Sequence, residues 1–149
     1  MHSGVSIIIV TKDAAWSLER LLPSFFSVNT HAPVELIVVD LDSADNTSDV
    51  LARHAAMGCI RHLIRSRDLS RADALDQGAQ KARYPYVLFV ENSILWARDV
   101  LPEAVQKLQQ DPEIGVVMVP LHGQDKWQIS STQRPGWSGA YGWKKKKKG

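Results

Sequence analysis

Acidic and hydroxyl residues follow two short apolar runs of this chain, at the places where those runs end. Thr11 closes the run 5–10, and Asp40 closes the run 36–39. An ionised carboxylate only accepts hydrogen bonds, whereas a hydroxyl both donates and accepts them. Neither group has a packing reason to follow an apolar run, so the two residues are candidates for binding a polar small molecule. The alternative is that each residue only begins a turn, as polar residues at strand ends often do.

Further polar residues follow the same runs and a later one. Asp42 and Asp45 come soon after Asp40, and the triplet Glu91-Asn92-Ser93 follows the apolar run 86–90. Taken singly, each residue fits a turn. Taken together, they favour a binding site.

The apolar runs themselves indicate buried strands of a parallel sheet, because Val and Ile occupy successive positions rather than alternate ones. Helical spacing between the runs predicts crossover helices, with a kink or an early break at Pro23 in the first. Ser70 is a predicted N-cap and Gly58 a predicted C-terminal cap. The predicted strands are 5–11, 36–40, 60–64, 86–90 and 114–119, and the predicted helices begin near residues 18, 47, 70 and 99.

This alternation predicts a three-layer α/β/α, Rossmann-like domain with a mainly parallel sheet. In such sheets ligands bind beyond the carboxyl ends of the strands, where Thr11 and Asp40 are predicted to lie. We expect the domain to span residues 1–121. Residues 122–149 are expected to form an irregular Trp/Gly/Ser-rich segment with a poly-Lys tail.

The net charge and the cysteine content limit which binding partners and which cellular compartment are expected. Without Lys144 to Lys148, 13 Lys and Arg residues remain against 16 Asp and Glu residues, a net charge of −3 rather than +2. A nucleic-acid groove is therefore not expected. The lysine run is most simply a solvated tail, and the alternative is weak contact with an anionic membrane surface. Cys59 is the single cysteine, which suits a reducing compartment. No apolar segment is long enough to span a membrane. We expect a cytoplasmic protein, peripheral at the inner membrane face if the tail binds lipid.

Four segments in order and in register are similar to the motifs of one family, the nucleotide-sugar glycosyltransferases of family 2. That family's opening strand usually closes on Thr-Tyr-Asn, its second motif is commonly Val-Val-Asp-Asn-Gly-Ser-Thr-Asp-Gly-Thr, and a later strand ends in Asp-x-Asp. The resemblance covers about residues 5–121 and implies the GT-A fold. The similar segments here are residues 5–13, 35–47, 68–78 and 86–93.

The resemblance assigns donor-binding roles to residues of the first three segments. It implies that Asp40 accepts a hydrogen bond from the base of the donor, usually uracil, and that Thr11 approaches the same base. Asp13 belongs to the same donor site, and Asp45 would lie near the nucleoside, with N-capping as the alternative. Arg71 would neutralise diphosphate charge, and a solvated helix position is equally compatible with its sequence context.

Departures from the family pattern concern the metal, the diphosphate and the general base. Family members hold Mg²⁺ or Mn²⁺ through Asp-x-Asp, whereas here Glu91 and Ser93 occupy the ends of the triplet, so one ligating carboxylate is replaced by a hydroxyl. Asp42 replaces a Gly and adds negative charge to the donor site. Inverting members use a downstream carboxylate to deprotonate the acceptor, and Asp125 is the acidic residue available beyond Pro120.

These observations predict a short or degenerate family-2-like glycosyltransferase that transfers a sugar from a nucleotide-diphosphate donor, a UDP-sugar in the first instance, to a hydroxyl acceptor of unknown identity. The incomplete metal and base sites predict slow or no transfer. The alternative is a non-catalytic nucleotide-sugar-binding or scaffold domain.

Overall fold

The computed structural model describes residues 4–28, 32–111, 113, 116–118, 128–130 and 141–144. Strands and helices alternate along most of this chain. The elements are β1 (Val5–Thr11), α1 (Ala15–Val28), β2 (Val34–Asp40), α2 (Thr47–Ala56), β3 (His62–Arg65), α3 (Arg71–Lys81), β4 (Tyr86–Phe89), α4 (Leu101–Gln110), β5 (Val116–Met118), β6 (Gln128–Ser130) and β7 (Tyr141–Lys144).

The strands form one sheet in the order β3-β2-β1-β4-β7-β5-β6. The first four strands are parallel to one another, and the pairings of β7 and β6 are antiparallel. The chain moves outward from β1 to β2 and β3 and then returns to place β4 on the other side of β1. The position between β1 and β4 is therefore the topological switch point, where open α/β sheets bind ligands.

Successive residues of β1 face opposite layers of helices. Ile7 and Ile9 belong to a core cluster with residues of α1, α2 and α4, whereas Ile8 and Val10 pack on the side of α3. All four side chains are almost completely buried, and each contributes roughly 1.5–3 kcal/mol relative to an exposed position. The prediction of a three-layer domain with a mainly parallel sheet is confirmed.

A kink or an early break was predicted at Pro23, and the break is wrong because the first helix continues past this residue. α1 extends from Ala15 to Val28 with Pro23 inside it. Pro23 lies on the exposed face, where water can hydrate the carbonyl that loses its backbone donor. The opposite face is buried against the sheet through Leu18, Leu22 and Phe25, and this burial outweighs the lost hydrogen bond.

The predicted helix caps are confirmed. Ser70 Oγ accepts a hydrogen bond from the Asp73 amide at 3.1 Å at the start of α3. Gly58 follows α2 with a φ of 79°, the left-handed conformation that a C-terminal cap requires. Gly78 is required for packing rather than for capping. A Cβ at this position would lie 2.6 Å from Ile8 Cγ2, so glycine lets α3 approach the sheet closely.

Residues 122–149 were expected to be irregular, and the two strands found there correct this expectation. β7 lies between β4 and β5 and pairs antiparallel with both, with Trp143 opposite Val87. The strand depends on long-range pairing with the free edge of β4, which the local Gly/Trp-rich sequence does not reveal. The proposed division at residue 121 stays a prediction. Within the described ranges, no helix is both long and apolar enough to cross a bilayer.

Candidate functional site

The sheet register brings the predicted donor-binding residues to one edge. Thr11 is paired with Asp40, and Asp40 with Arg65, so the last residues of β1, β2 and β3 lie side by side. Glu91 follows the end of β4 on the other side of β1. The carboxyl ends of four parallel strands therefore meet at the switch point, as the strand-end argument predicts.

Asp40 is buried but lies within a polar network. Its residue is 1% exposed. Ser43 donates to it through the hydroxyl and, at 3.3 Å, through the backbone amide. The Arg65 Nε lies 3.6 Å from Asp40 Oδ2. These donors hold the carboxylate of Asp40 in one orientation, because a hydroxyl and an amide from its own loop bind it at the same time.

The Thr11 hydroxyl beside Asp40 is a buried polar group without a partner. The Thr11 residue is 1% exposed, and its Oγ1 makes no hydrogen bond to the described residues. A buried hydroxyl without a partner costs about 1–3 kcal/mol. Such a group next to an oriented carboxylate is suited to a ligand that offers both an acceptor and a donor.

Asp13 and Asp45 connect the two loops that follow β1 and β2. Asp13 Oδ1 accepts from the amides of Ala44 and Asp45 at 2.6 and 3.3 Å. Asp45 accepts in return from the Ala15 amide at 3.3 Å and from the amide and hydroxyl of Thr47. The Thr47 hydroxyl lowers the pKa of the Asp45 carboxyl below its ordinary value. The N-capping alternative for Asp45 is wrong, because the N-cap of α2 is Asn46, although Asp45 Oδ1 does accept from the Thr47 amide at 2.9 Å. Roles of Asp13 and Asp45 toward a donor stay predictions.

Two arginines match the extra negative charge of Asp42. Arg67 Nε donates to Asp42 Oδ2 at 3.0 Å, and Arg65 Nη2 lies 3.4 Å from Asp42 Oδ1. The hydrogen bond from Arg67 lowers the pKa of the Asp42 carboxyl. Asp42 and Asp13 have left-handed φ values of 54° and 48°, a conformation that is uncommon outside glycine and that often occurs at functional sites.

Arg71 and Glu91 lie together on the other side of the switch point. Arg71 begins α3, and its Nη2 is 3.8 Å from Glu91 Oε1, with both side chains partly exposed. Ser93 is exposed two residues further on. Both basic and acidic groups of the predicted diphosphate region are therefore present at this edge.

The described residues fit a divalent metal ion poorly. No group of three or more His, Cys, Asp or Glu side chains clusters as possible metal ligands in the described part of the chain. The triplet contributes a single carboxylate, Glu91, which already has Arg71 as its counterion. A hard cation prefers several oxygen ligands, most of them anionic, so any metal here would depend mainly on oxygens of a bound phosphate and on water.

Three residues of the candidate site were not predicted from the sequence. The predicted base, Asp125, lies outside the described residues. Ser43 orients Asp40, Arg65 supplies positive charge beside Asp40, and Arg67 pairs with Asp42. A signal for Arg65 existed, because it directly follows the predicted strand 60–64 and the strand-end argument applies to it as well. No comparable signal existed for Ser43 and Arg67, because their partners depend on loop conformation.

A family model independently matches almost the whole chain. The model of glycosyl transferase family 2 matches residues 6–148. The chain belongs to glycosyl transferase family 2 and has the GT-A fold. The resemblance stated from the motifs is therefore confirmed.

Known proteins similar to this chain are longer glycosyltransferases. A mannosyltransferase from Pyrobaculum calidifontis, solved in complex with GDP-Man and Mn²⁺, has a TM-score of 0.68 and 28% identity over 78% of this chain and 35% of its own. TarS from S. aureus, solved with UDP, has a TM-score of 0.62 and 19% identity over 84% of this chain and 38% of its own.

A relative found by its sequence is also longer than this chain. Poly-beta-1,6-N-acetyl-D-glucosamine synthase from Staphylococcus aureus is 20% identical over 114 residues, which is 76% of this chain. The chain spans 27% of the length of that relative.

Proposed function

We propose that this chain binds a nucleoside diphosphate sugar at the carboxyl edge of its sheet, as the donor-binding part of a family 2 glycosyltransferase. The observation on which the proposal rests is the pairing of Thr11 and Asp40. A buried, oriented carboxylate lies beside a buried hydroxyl that has no partner among the described residues.

Uracil matches these two groups. Its N3–H is a donor flanked by carbonyl oxygens, so the N–H can donate to Asp40 while a carbonyl accepts from the Thr11 hydroxyl. A hydrogen bond to an ionised group is the stronger kind, worth about 1.5–3 kcal/mol. We therefore assign Asp40 as the main base contact and Thr11 as a second one, and take a UDP-sugar as the donor.

The arginines around the base contact suit a diphosphate. Arg65, Arg67 and Arg71 are all at least half exposed, and each pairs with a carboxylate of the site. A guanidinium can leave a solvated carboxylate for a phosphate at small cost, because exposed ion pairs contribute only about 0–1 kcal/mol. Positive charge is thus available to the diphosphate although Asp42 adds a negative one.

Calorimetry with UDP tests this assignment. Asp40→Ala is expected to weaken UDP binding about tenfold or more, since one charge-assisted hydrogen bond is lost. Asp49→Ala is the matched control, because Asp49 is exposed on α2 outside the proposed site. Equal UDP affinities of wild type and Asp40→Ala would refute the assignment of Asp40.

The metal contribution is measured in the same titrations. Mn²⁺ is expected to improve UDP binding only slightly, because Glu91 is the single carboxylate of the triplet and Ser93 is neutral. Ser93→Asp is expected to strengthen the Mn²⁺ effect, and Ser93→Asn is its uncharged control. A strong Mn²⁺ dependence of the unmodified protein would show that other residues complete a metal site.

Transfer of the sugar is expected to be slow or absent in this chain. In direct displacement the acceptor oxygen bonds to the anomeric carbon, the bond to the diphosphate breaks, and the acceptor proton passes to a base. A positioned base is typically worth about 10²–10⁴-fold in rate, and Asp125 is our candidate. UDP release from UDP-sugars in the presence of simple acceptors, against a blank without protein, measures transfer. Chelation-resistant release that disappears in Asp125→Asn would show an active transferase with Asp125 as base, whereas donor binding without release would favour the non-catalytic alternative.

A further inference from the structure

A cleft of about 160 Å³ lies beside the proposed donor site. One wall is the beginning of α1, which follows β1, and the other is the loop that follows β4, so the cleft opens near the switch point between these strands. The loop wall starts directly after Glu91. The lining residues are Trp16, Ser17, Arg20, Asn92, Ser93 and Leu95.

Two large apolar side chains are exposed at this cleft. Trp16 is 69% exposed and Leu95 is 51% exposed. Trp16 is braced from its own helix, since the Arg20 guanidinium lies 4.6 Å from the ring centroid. A cation–π contact of this kind fixes the orientation of the ring and leaves most of its surface accessible. The cleft therefore offers a preorganised aromatic platform.

The polar part of the cleft has unused hydrogen-bonding capacity. Asn92 Oδ1 is buried and has no hydrogen-bond partner among the described residues. Buried polar atoms are nearly always satisfied by protein, water or ligand, and this acceptor can reach an occupant of the cleft once the partly exposed Asn92 side chain turns toward it. The hydroxyls of Ser17 and Ser93 lie in the same lining, and hydroxyls donate as well as accept.

An aromatic surface opposite a few amide and hydroxyl groups matches one ligand class well. A pyranose ring has an apolar face of C–H groups and a rim of hydroxyls, so it can stack on an indole and hydrogen-bond at its edge at the same time. Small-ligand sites commonly combine apolar walls with a small number of polar groups in this way.

We propose that this cleft holds a sugar ring of the acceptor, with Trp16 stacking on the ring and Asn92 and Ser93 bonding its hydroxyls. The inference rests on the proposed donor site, because an acceptor must lie next to the donor sugar to react. Ser93 lies two residues after Glu91, so the cleft begins beside the residues proposed for the donor diphosphate. Trp16 and Asn92 are then acceptor-binding residues with no part in holding the nucleotide.

The test is a nuclear magnetic resonance titration of the ¹⁵N-labelled chain with the methyl glycosides of glucose, mannose and N-acetylglucosamine. The expected result is a saturable shift of the Trp16 indole N–H and of the Ser93 amide with at least one glycoside. The buried Trp96 indole serves as an internal control. Trp16→Phe identifies the Trp16 signal and keeps an aromatic ring.

Variants then assign the contact. Trp16→Ala is expected to weaken glycoside binding about five- to tenfold, followed through the Ser93 amide, and Trp16→Phe to weaken it less. Met57→Ala, which removes an apolar side chain that is 68% exposed on another surface, is expected to change nothing. UDP affinity, measured on the same samples, is expected to be equal in all of these proteins.

The outcomes separate this inference from the proposed function. If UDP binds and no glycoside shifts Trp16 or Ser93 saturably, the acceptor cleft is refuted and the donor site stands. If glycosides bind at Trp16 and UDP does not bind wild type, the cleft is a sugar site and the donor assignment fails. If the chain dimerises, Trp16→Ala abolishes the dimer and no glycoside binds, the cleft is a protein contact and the inference is overturned.

Discussion

Strand β2 has a buried carboxylate near each end, and the two carboxylates have different kinds of partner. Glu35, near the beginning, accepts from the Ser6 hydroxyl and from the Arg83 amide at 2.7 Å. The Nε atoms of Arg61 and Arg83 lie 3.2 and 3.3 Å from its other oxygen. Because these partners come from β1 and from the chain before β3 and β4, Glu35 connects several segments at the amino edge of the sheet.

Asp40, at the end of β2, is bonded mainly within its own loop. Ser43 is three residues away, and among the described residues Arg65 is the cation paired with Asp40, with its Nε 3.6 Å from Asp40 Oδ2. Next to Asp40 the Thr11 hydroxyl has no partner in the described part of the chain, whereas the Ser6 hydroxyl beside Glu35 donates to Glu35 and accepts from the Tyr84 amide. The hydroxyl is therefore bonded by the protein at the amino edge and left available at the carboxyl edge. Glu35 Oε2 makes no hydrogen bond to the described residues, but the charges of Arg61 and Arg83 lie close to it.

The comparison shows how a buried carboxylate can be assigned. Cross-strand partners on every side indicate a stabilising role, because removal of the group leaves several segments without their common partner. Local orientation together with an unsatisfied neighbour indicates binding, because the protein has bonded the group without using all of its capacity.

The largest expected effect is on stability at the amino edge. Glu35→Gln is expected to lower the free energy of unfolding by about 2–3 kcal/mol, because one buried acceptor loses its charge and two arginines lose their counterion. Urea unfolding followed by circular dichroism measures it, and UDP affinity should not change. Glu19→Gln, which breaks an exposed pair with Arg53, is the control and should cost less than about 1 kcal/mol. A similar small loss for Glu35→Gln would remove the distinction between the edges.

A smaller loss is expected at Ser43, which serves both stability and orientation. Its hydroxyl donates to Asp40 and accepts from the Asp13 amide at 2.8 Å. Ser43→Ala is expected to cost about 1–2 kcal/mol in unfolding free energy and to weaken UDP binding several-fold. Ser48→Ala in α2 is the control for the substitution. Unchanged UDP affinity in Ser43→Ala would mean that Asp40 needs no orientation by Ser43.

Thr11→Val is expected to separate binding from stability. The substitution removes a buried hydroxyl that the described residues do not bond, so the free energy of unfolding should not fall and should rise by up to about 1–3 kcal/mol, whereas UDP affinity should fall roughly three- to tenfold. Thr47→Val is the matched control, because the buried Thr47 hydroxyl accepts from the Ala14 amide and donates to Asp45. That control should lose stability. A loss of stability in Thr11→Val comparable to that in Thr47→Val would contradict a free hydroxyl at position 11.

The smallest expected effect is a pH dependence at the carboxyl edge. Folding lowers the pKa of Asp45 because Thr47 bonds its ionised form. The stability from this group is therefore fully present above the unfolded pKa of about 3.9 and is lost as the pH falls through the lower folded pKa. The difference in unfolding free energy between wild type and Asp45→Asn should narrow on acidification. Asp49→Asn is the control, and a constant difference for Asp45→Asn would contradict the shift.

Most elements were predictable from the sequence because their signals are local. Continuous Val and Ile runs, the Ser70 cap and the left-handed Gly58 each reflect the conformational preference of a few residues. The early break considered at Pro23 is absent because burial of the opposite helix face outweighs a local cost, and β7, which the sequence did not indicate, exists through pairing with β4. Both outcomes follow from contacts between residues distant in the sequence.

The candidate site also has a part that local sequence signals predicted and a part that depends on contacts distant in the sequence. The sequence by itself determined that Thr11 and Asp40 end two strands, and its family resemblance assigned Arg71 and Glu91 to the diphosphate and metal region, because strand ends and family motifs are properties of the order of residues. Only the tertiary structure decided that Ser43 orients Asp40, that Arg65 and Arg67 neutralise Asp42, and that Trp16 and Asn92 share a cleft. Those facts depend on loop conformation and on which helices pack beside which strand ends, and side-chain distances of a few ångströms are set by packing rather than by local preference.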